Sequence, residues 1–206
     1  MYSINGLLGE NNALFFLIIV ITYFIGNISP STLIAKSSGV DIKREGSGNA
    51  GTANALRVLG FKSAAVTLLI DVLKGTLAVL LGGILLGHTA AMYCLLSVIC
   101  GHVWPVMLHF KGGKGVATAF GALMGLNPAL GLAALGAVVL GVLVSRRMSV
   151  GSLAGSVACP FLIWFLEPDF MIPGTIMACI IFFNHRDNIV RMYRGEEPKI
   201  NLKRKK

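Results

Sequence analysis

The chain has 206 residues, of which 55% are hydrophobic and 13% charged, with a formal net charge of +9 and a mean hydropathy of +0.76. This balance excludes a water-soluble globular domain and a disordered tail, and puts the chain in a bilayer. With no internal repeat and no low-complexity linker, the sequence is expected to form one all-α integral membrane domain over residues 1–206.

Apolar runs lie at 13–35, 63–86, 88–109, 116–126, 129–145, 150–167 and 170–184. Most are near the roughly 17–25 residues that cross a bilayer as helix, which predicts about seven transmembrane helices. The first run has no clean cleavage site and reads as a retained helix rather than a signal peptide. The fourth is short, and Asn127-Pro128 separates it from the fifth, so a tight turn or a re-entrant hairpin is expected there; the hairpin would leave five full spans and a dip. Of 18 Lys and Arg residues, only Lys74 falls inside a run, and the other 17 fall on one side of the membrane. The opposite loops carry Glu10, Glu167 and Asp169. The positive-inside bias therefore predicts the N-terminus outside and the C-terminus in the cytoplasm.

Topology and anionic lipid account for most of the net charge, and the Lys203-Arg204-Lys205-Lys206 tail reads as a lipid-surface contact, not a nucleic-acid site. Cys94, Cys100, Cys159 and Cys179 sit inside apolar runs and read as small buried hydrophobes. Asp71 and Lys74, three residues apart, can neutralise one another on one helical face. No cofactor, metal cluster or obligate protein partner is indicated.

Three polar patches fall on the basic side. The first follows Asp41-Ile42-Lys43-Arg44-Glu45 and contains Gly46, Ser47, Gly48, Asn49, Gly51, Thr52, Asn54 and Arg57. Its glycines allow turning and close backbone approach with exposed N–H groups, its short side chains add donors, and Arg57 adds a fork suited to phosphate. If a helix starts near residue 53, the glycines lie at its anion-favouring N-terminus; a flexible capped loop is the alternative.

The second patch runs from His102-Val103-Trp104-Pro105 to Lys111-Gly112-Gly113-Lys114-Gly115. It is not a P-loop, because Gly115 stands where Ser or Thr must follow the lysine. Two lysines among three glycines before a helix can surround a phosphate without a metal; a pair of membrane anchors is the plainer reading. The third patch spaces His185, Asn188 and Arg191 by threes, so they share a face if the last span continues inward, whereas Arg186 and Arg194 point elsewhere. In the loop Arg146-Arg147-Met148-Ser149, Ser149 reads as an N-cap, and Ser152 as a helix residue or one more donor.

The G-S-G-N-x-G run with Asn54 and Arg57, the G-H-x-x-P stretch followed by F-K-G-G-K-G-V-A-T, and the terminal H-R-x-N-I-x-R with Gly195 and Glu197 together resemble the acyl-phosphate-dependent glycerol-3-phosphate acyltransferases, the PlsY family. The resemblance covers nearly the whole chain. It implies a seven-span bacterial plasma-membrane enzyme whose cytoplasmic site moves a fatty acyl group from acyl phosphate to the sn-1 hydroxyl of glycerol 3-phosphate, giving lysophosphatidic acid and phosphate. It also implies functional roles for Ser47, Arg57, Lys114, His185 and Asn188, with Ser152 as an addition. Such chains usually read G-A-T-N where this one has Gly51-Thr52-Ala53-Asn54, which displaces the threonine by one position.

An acyl phosphate is already activated, so such an enzyme needs placement and charge stabilisation more than a strong nucleophile. Two anionic substrates side by side account for clustered Lys, Arg and amide donors. The H-x-x-x-x-D acyltransferase pattern is absent from the sequence. The proton acceptor is either His185 or the phosphate of the acyl phosphate itself. A transporter for an organophosphate or another small anion is the rival reading; sites of that kind usually lie near the midplane between repeats.

Overall fold

In a computed structural model, residues 12–200 are described, and their regular structure is entirely helical. Glu10 and the Lys203–Lys206 tail, with the roles the sequence suggested for them, lie outside these residues. Five stretches are long and apolar enough to cross a membrane: Asn12–Ser37, Phe61–Leu86, His88–Leu108, Pro128–Ser145 and Met148–Leu166. Two shorter apolar stretches, Val116–Leu126 and Pro168–Phe183, coincide with the remaining runs. Phe16, Leu77, Ile84, Val144, Phe161 and Phe165 are exposed on the helices, a surface suited to hydrocarbon and costly in water. The contacts divide the chain into two compact units between Gly131 and Leu132.

In the first unit, α1 (Asn12–Asn27) stops where Pro30 cannot donate a backbone hydrogen bond, and α2 (Pro30–Ser37) restarts with that proline in its first turn. The sequence reading joined these into one run. A short α3 (Thr52–Val58) precedes α4 (Phe61–Leu86), the helix against which α1, α2, α3, α5 (His88–Val103) and α6 (Val116–Leu126) all pack. Two crossings are made through glycine. A Cβ on Gly26 would meet Val98 O and one on Gly101 would meet Tyr23 O, so α1 and α5 touch backbone to backbone. Gly75 and Gly121 bring α4 and α6 together in the same way against Thr118 O and Val72 O. Small residues serve membrane packing because lipid offers no hydrophobic penalty for separated helices, leaving close van der Waals contact to hold them. Hydroxyls add to it: Thr76 donates to Gly121 O at 2.7 Å and Ser97 to Ile19 O at 2.6 Å.

The break at Asn127-Pro128 is one residue long. Asn127 Oδ1 accepts from the N–H groups of Ala129 (3.1 Å) and Leu130 (3.2 Å), capping α7 (Pro128–Ser145), whose first residue is the proline. In the second unit, α7 meets α8 (Met148–Leu166) where Gly141 lies against Gly151, and α8 packs on α9 (Met171–Phe183) after a 3-10 turn over Pro168–Phe170 that buries Phe170. The last apolar helix does not run on through the third patch: α9 ends at Phe183, and a separate α10 (Arg186–Tyr193) begins with His185 as its N-cap. Cys94 and Cys159 are buried as expected, but Cys100 is half-buried and Cys179 exposed.

Candidate functional site

The first glycine-rich loop is organised from within by Asn54. This side chain is fully buried; its Oδ1 accepts the Ser47 N–H at 2.8 Å, and its Nδ2 donates to Ile42 O at 3.2 Å and Glu45 O at 3.1 Å. Gly46 can sit beside it because a Cβ there would strike Asn54 Oδ1, and its φ of 60° belongs to the left-handed region. Gly51 stands at the start of a helix, close to the expected position. Its backbone is extended and it serves as the N-cap of α3, a helix of 7 residues, too short for a dipole to dominate anion binding. Replacing Asn54 with Ala strands one donor and two acceptors. The expected loss is about 2 kcal/mol, seen as a lower unfolding temperature in detergent, with a raised KM for a phosphate substrate.

The second loop turns back on α5. His109 and Phe110 adopt left-handed φ values of 53° and 61°, and the chain returns so that Gly112 N donates to Val103 O and Gly113 N to His102 O, each at 3.1 Å. These carbonyls belong to the last turn of α5, where helical partners run out. The N–H groups of Lys111, Gly112 and Gly113 are thus spent on carbonyls, as are those of Ser47 and Gly48 on Asn54 Oδ1 and Glu45 O. The outward positive groups are side chains: Lys111 and Arg57 are exposed and Lys114 half-buried. Gly115, with φ 86°, is the N-cap of α6.

The two loops touch. A Cβ on Gly113 would meet His102 Nε2 and, at 2.9 Å, Ala50 O; Lys43 Nζ from the first loop donates to Gly112 O at 3.0 Å. Burial and the neighbouring Lys111 charge hold the Lys43 ammonium below the usual lysine range, against an upward pull from Asp41. Beneath them, Asp71 and Lys74 pair as expected, 2.7 Å apart. Ser47 is exposed and Asn49 half-buried, whereas the Thr52 hydroxyl is buried and has no hydrogen-bond partner among the described residues. The displaced threonine therefore points into protein.

In the second unit, Glu197 holds the third patch. With 5% of its surface exposed, it accepts from Asn188 Nδ2 (2.7 Å) and Arg191 Nε (2.8 Å), and its carbonyl accepts from Arg147 Nε at 3.2 Å. Donation through Nδ2 fixes which end of the Asn188 amide is turned toward Glu197. His185 is buried, and its Nδ1 lies 2.8 Å from Ile181 O. A carbonyl can only accept, so His185 donates through Nδ1. Ser152 lies in α8 and donates to Met148 O at 3.1 Å, while Ser149 is buried inside the helix and Arg147, not Ser149, is the N-cap. Arg186 lies over the Phe183 ring and Arg194 is exposed, both pointing elsewhere as expected.

Burial raises the Glu197 carboxyl, but the nearby Ser149 hydroxyl, hydrogen bonds from Asn188 and Arg191, and the Arg191 charge outweigh it, leaving the group below its ordinary value of 4.5. The unfolded chain then binds the proton first on acidification. Its stabilising contribution is complete above 4.5 and is lost as pH falls through the lower folded value. Wild type should lose unfolding temperature over that window more steeply than Glu197→Gln, as thermal scans from pH 6 downward would show.

Sequence reasoning assigned no role to Lys43, His102, Arg147 or Glu197. Glu197 stood in the third motif and His102 opened the second, but nothing local in either revealed the partner it would meet. Among the described residues, no group of three or more His, Cys, Asp or Glu is placed to hold a metal ion.

Membrane-length helices with apolar outer surfaces make this a multi-pass membrane protein. A family model described as glycerol-3-phosphate acyltransferase matches residues 16–195, and the chain belongs to that family, as its three motifs suggested. The glycerol-3-phosphate acyltransferase of Thermoanaerobacter sp. (strain X514) is 44% identical over 187 residues, covering 89% of this chain and 94% of that protein. The protein of the same name from Clostridioides difficile (strain 630) is 41% identical over 198 residues, covering 92% and 97%. The crystal structure of PlsY (YgiH), an integral membrane glycerol 3-phosphate acyltransferase in its glycerol 3-phosphate form, matches with a TM-score of 0.87 and 29% identity, covering 91% of this chain and 96% of that one. Its lysophosphatidic acid form gives 0.84.

Proposed function

We propose that the protein transfers a fatty acyl group from acyl phosphate to the sn-1 hydroxyl of glycerol 3-phosphate, releasing lysophosphatidic acid and inorganic phosphate. The observation that carries this reading is the family match over residues 16–195, within which the first two motifs and all of the third except Glu197 fall in order. The hydroxyl oxygen bonds to the acyl carbon, the carbon–oxygen bond to phosphate breaks, and phosphate leaves with the electron pair. Lys114, Arg57 and Lys111 offset phosphate charge, and Ser47 and Asn188 orient the reacting groups. The hydroxyl proton passes to His185 or to the phosphate of the acyl phosphate itself. Gly46, Gly48, Asn49, Gly51, Asn54, Gly112, Gly113 and Gly115 shape the loops that carry the substrate contacts, with Thr52 and Ser152 in support.

On this reading residues 1–206 act as one acyltransferase domain in the bacterial inner membrane. Seven segments cross, the N-terminus lies outside, and the site faces the cytoplasm. The orientation is supported by the one-sided placement of Lys and Arg in the loops.

The test is to incubate purified protein with acyl phosphate and glycerol 3-phosphate in the absence of divalent metal. Phosphate and lysophosphatidic acid should form in equal amounts, and Lys114→Ala should lower kcat/KM by about 10²–10³. Movement of glycerol 3-phosphate across vesicles without consumption of acyl phosphate would replace this reading with transport.

A further inference from the structure

We propose that Asp71, Lys74 and His102 are a positioning triad that sets the height and spacing of the two glycine-rich loops, and through them the placement of the phosphate-binding side chains. All three are buried, with 1%, 3% and 6% of their surfaces exposed. The Lys74 ammonium donates to Ile28 O at 2.6 Å and to His102 Nδ1 at 2.8 Å, and Asp71 Oδ1 lies 2.7 Å from it as its ion-pair partner. Ile28 lies between α1 and α2, so its carbonyl has been released by the break before Pro30. One lysine therefore ties the α1–α2 break, α4 and the end of α5 to a common point.

The orientation of the imidazole follows. An ammonium can only donate, so His102 Nδ1 accepts, and in the neutral ring the proton resides on Nε2. That edge faces the place where Gly113 and Ala50 meet. The His102 carbonyl also receives the Gly113 N–H, so ring and backbone of one residue support the same loop residue from two directions. The floor beneath the loops is thus a side chain whose angle is fixed by Lys74, which Asp71 fixes in turn.

Mutual neutralisation explains why the pair is tolerated in a membrane helix. It does not explain a third partner, or why that partner sits under the loop junction. Ionisable residues within membrane helices are expensive and are ordinarily tied to function. Asp71 and Lys74 offset one another and His102 is neutral, so the triad adds little attraction for an anion; its contribution is geometric, like that of residues that orient ligands from behind.

The inference deepens the acyl-transfer reading, since it takes the Lys111–Gly115 loop as a phosphate-holding segment. Its test compares His102→Leu with His102→Asn, whose amide can keep an acceptor near the Nδ1 position. In His102→Leu, amide exchange in the peptide holding Gly112 and Gly113 should accelerate about tenfold, with α8 and α9 peptides unchanged. The KM for glycerol 3-phosphate or for acyl phosphate should rise about tenfold with kcat within about twofold, and Asn should restore exchange and KM to within about threefold of wild type. If His102→Leu does not fold, the neutral double variant Asp71→Asn/Lys74→Met is measured in its place, with the same expectations for exchange and KM. Unchanged loop exchange in the folded variant, acceleration spread over the whole chain, or equal damage from Leu and Asn would overturn the proposal. A wild-type protein with no acyl transfer would sink the enzymatic reading alone, and loop exchange would still decide the role of the triad.

Discussion

Gly113→Ala is expected to lose about 100-fold in kcat/KM, because one methyl group there has nowhere to go. Its Cβ would collide with His102 Nε2 and lie 2.9 Å from both Ala50 O and His102 Cε1. The ring cannot swing aside while Nδ1 is held by Lys74, and Ala50 O belongs to the backbone of the other loop. The second loop therefore has to lift by a fraction of an ångström to about one, carrying Lys111 and Lys114 with it, and a displacement of that size is costly in a charge-stabilising site. Overpacking adds a stability loss of about 1–3 kcal/mol. Gly136→Ala is the control. Its Cβ meets nothing within 4 Å, so kinetics should stay at wild-type values and stability should stay level or rise slightly. Steady-state kinetics and thermal unfolding of the two variants separate a steric effect in the loop from a general intolerance of alanine.

Glu197→Ala should cost about 2–3 kcal/mol, toward the lower end for a broken buried ion pair because the Arg191 side chain keeps 31% exposure. The carboxylate accepts from both Asn188 and Arg191, so its loss frees the amide and strands a guanidinium at once. Asn188 then no longer has a fixed Oδ1, and activity should fall with stability. Glu197→Gln keeps one acceptor oxygen and should lie between Ala and wild type. Thermal unfolding and kcat/KM across the three proteins give the ordering; a wild-type melting curve in Glu197→Ala would show that α10 is held by something else.

Much of this was legible in the sequence because bilayers impose simple rules. Seven apolar runs appear as helical stretches at nearly the same positions, and the Asp71–Lys74 pair follows from helical spacing alone. Interruptions inside polar stretches were less visible. The restart at Pro30, the short α3 and the separation of α10 from α9 depend on local caps and on partners distant in sequence, which hydropathy does not register. The motifs pointed to Ser47, Arg57, Lys114, His185 and Asn188, yet the N–H groups of Gly48, Gly112 and Gly113 are bonded to carbonyls within the fold. Gly112 and Gly113 give theirs to the end of α5, an outcome set by left-handed turns at His109 and Phe110, residue types that carry no strong signal for such a conformation. Lys43, His102 and Glu197 escaped for a related reason: each acts on a backbone or side chain that the sequence does not place beside it.

The stretch after α10 has a practical consequence for handling the protein. Gly195 turns with φ 75°, Glu197 returns to Asn188 and Arg191, and Ile200 N donates to Arg146 O at 2.7 Å. An affinity tag or fluorescent reporter joined directly after Arg194 would delete these tethers, even though the helix itself ends before the junction. Fusions should therefore begin beyond Ile200, and a protease site used to release the tag belongs further out still, where cleavage leaves the Glu197 anchor intact.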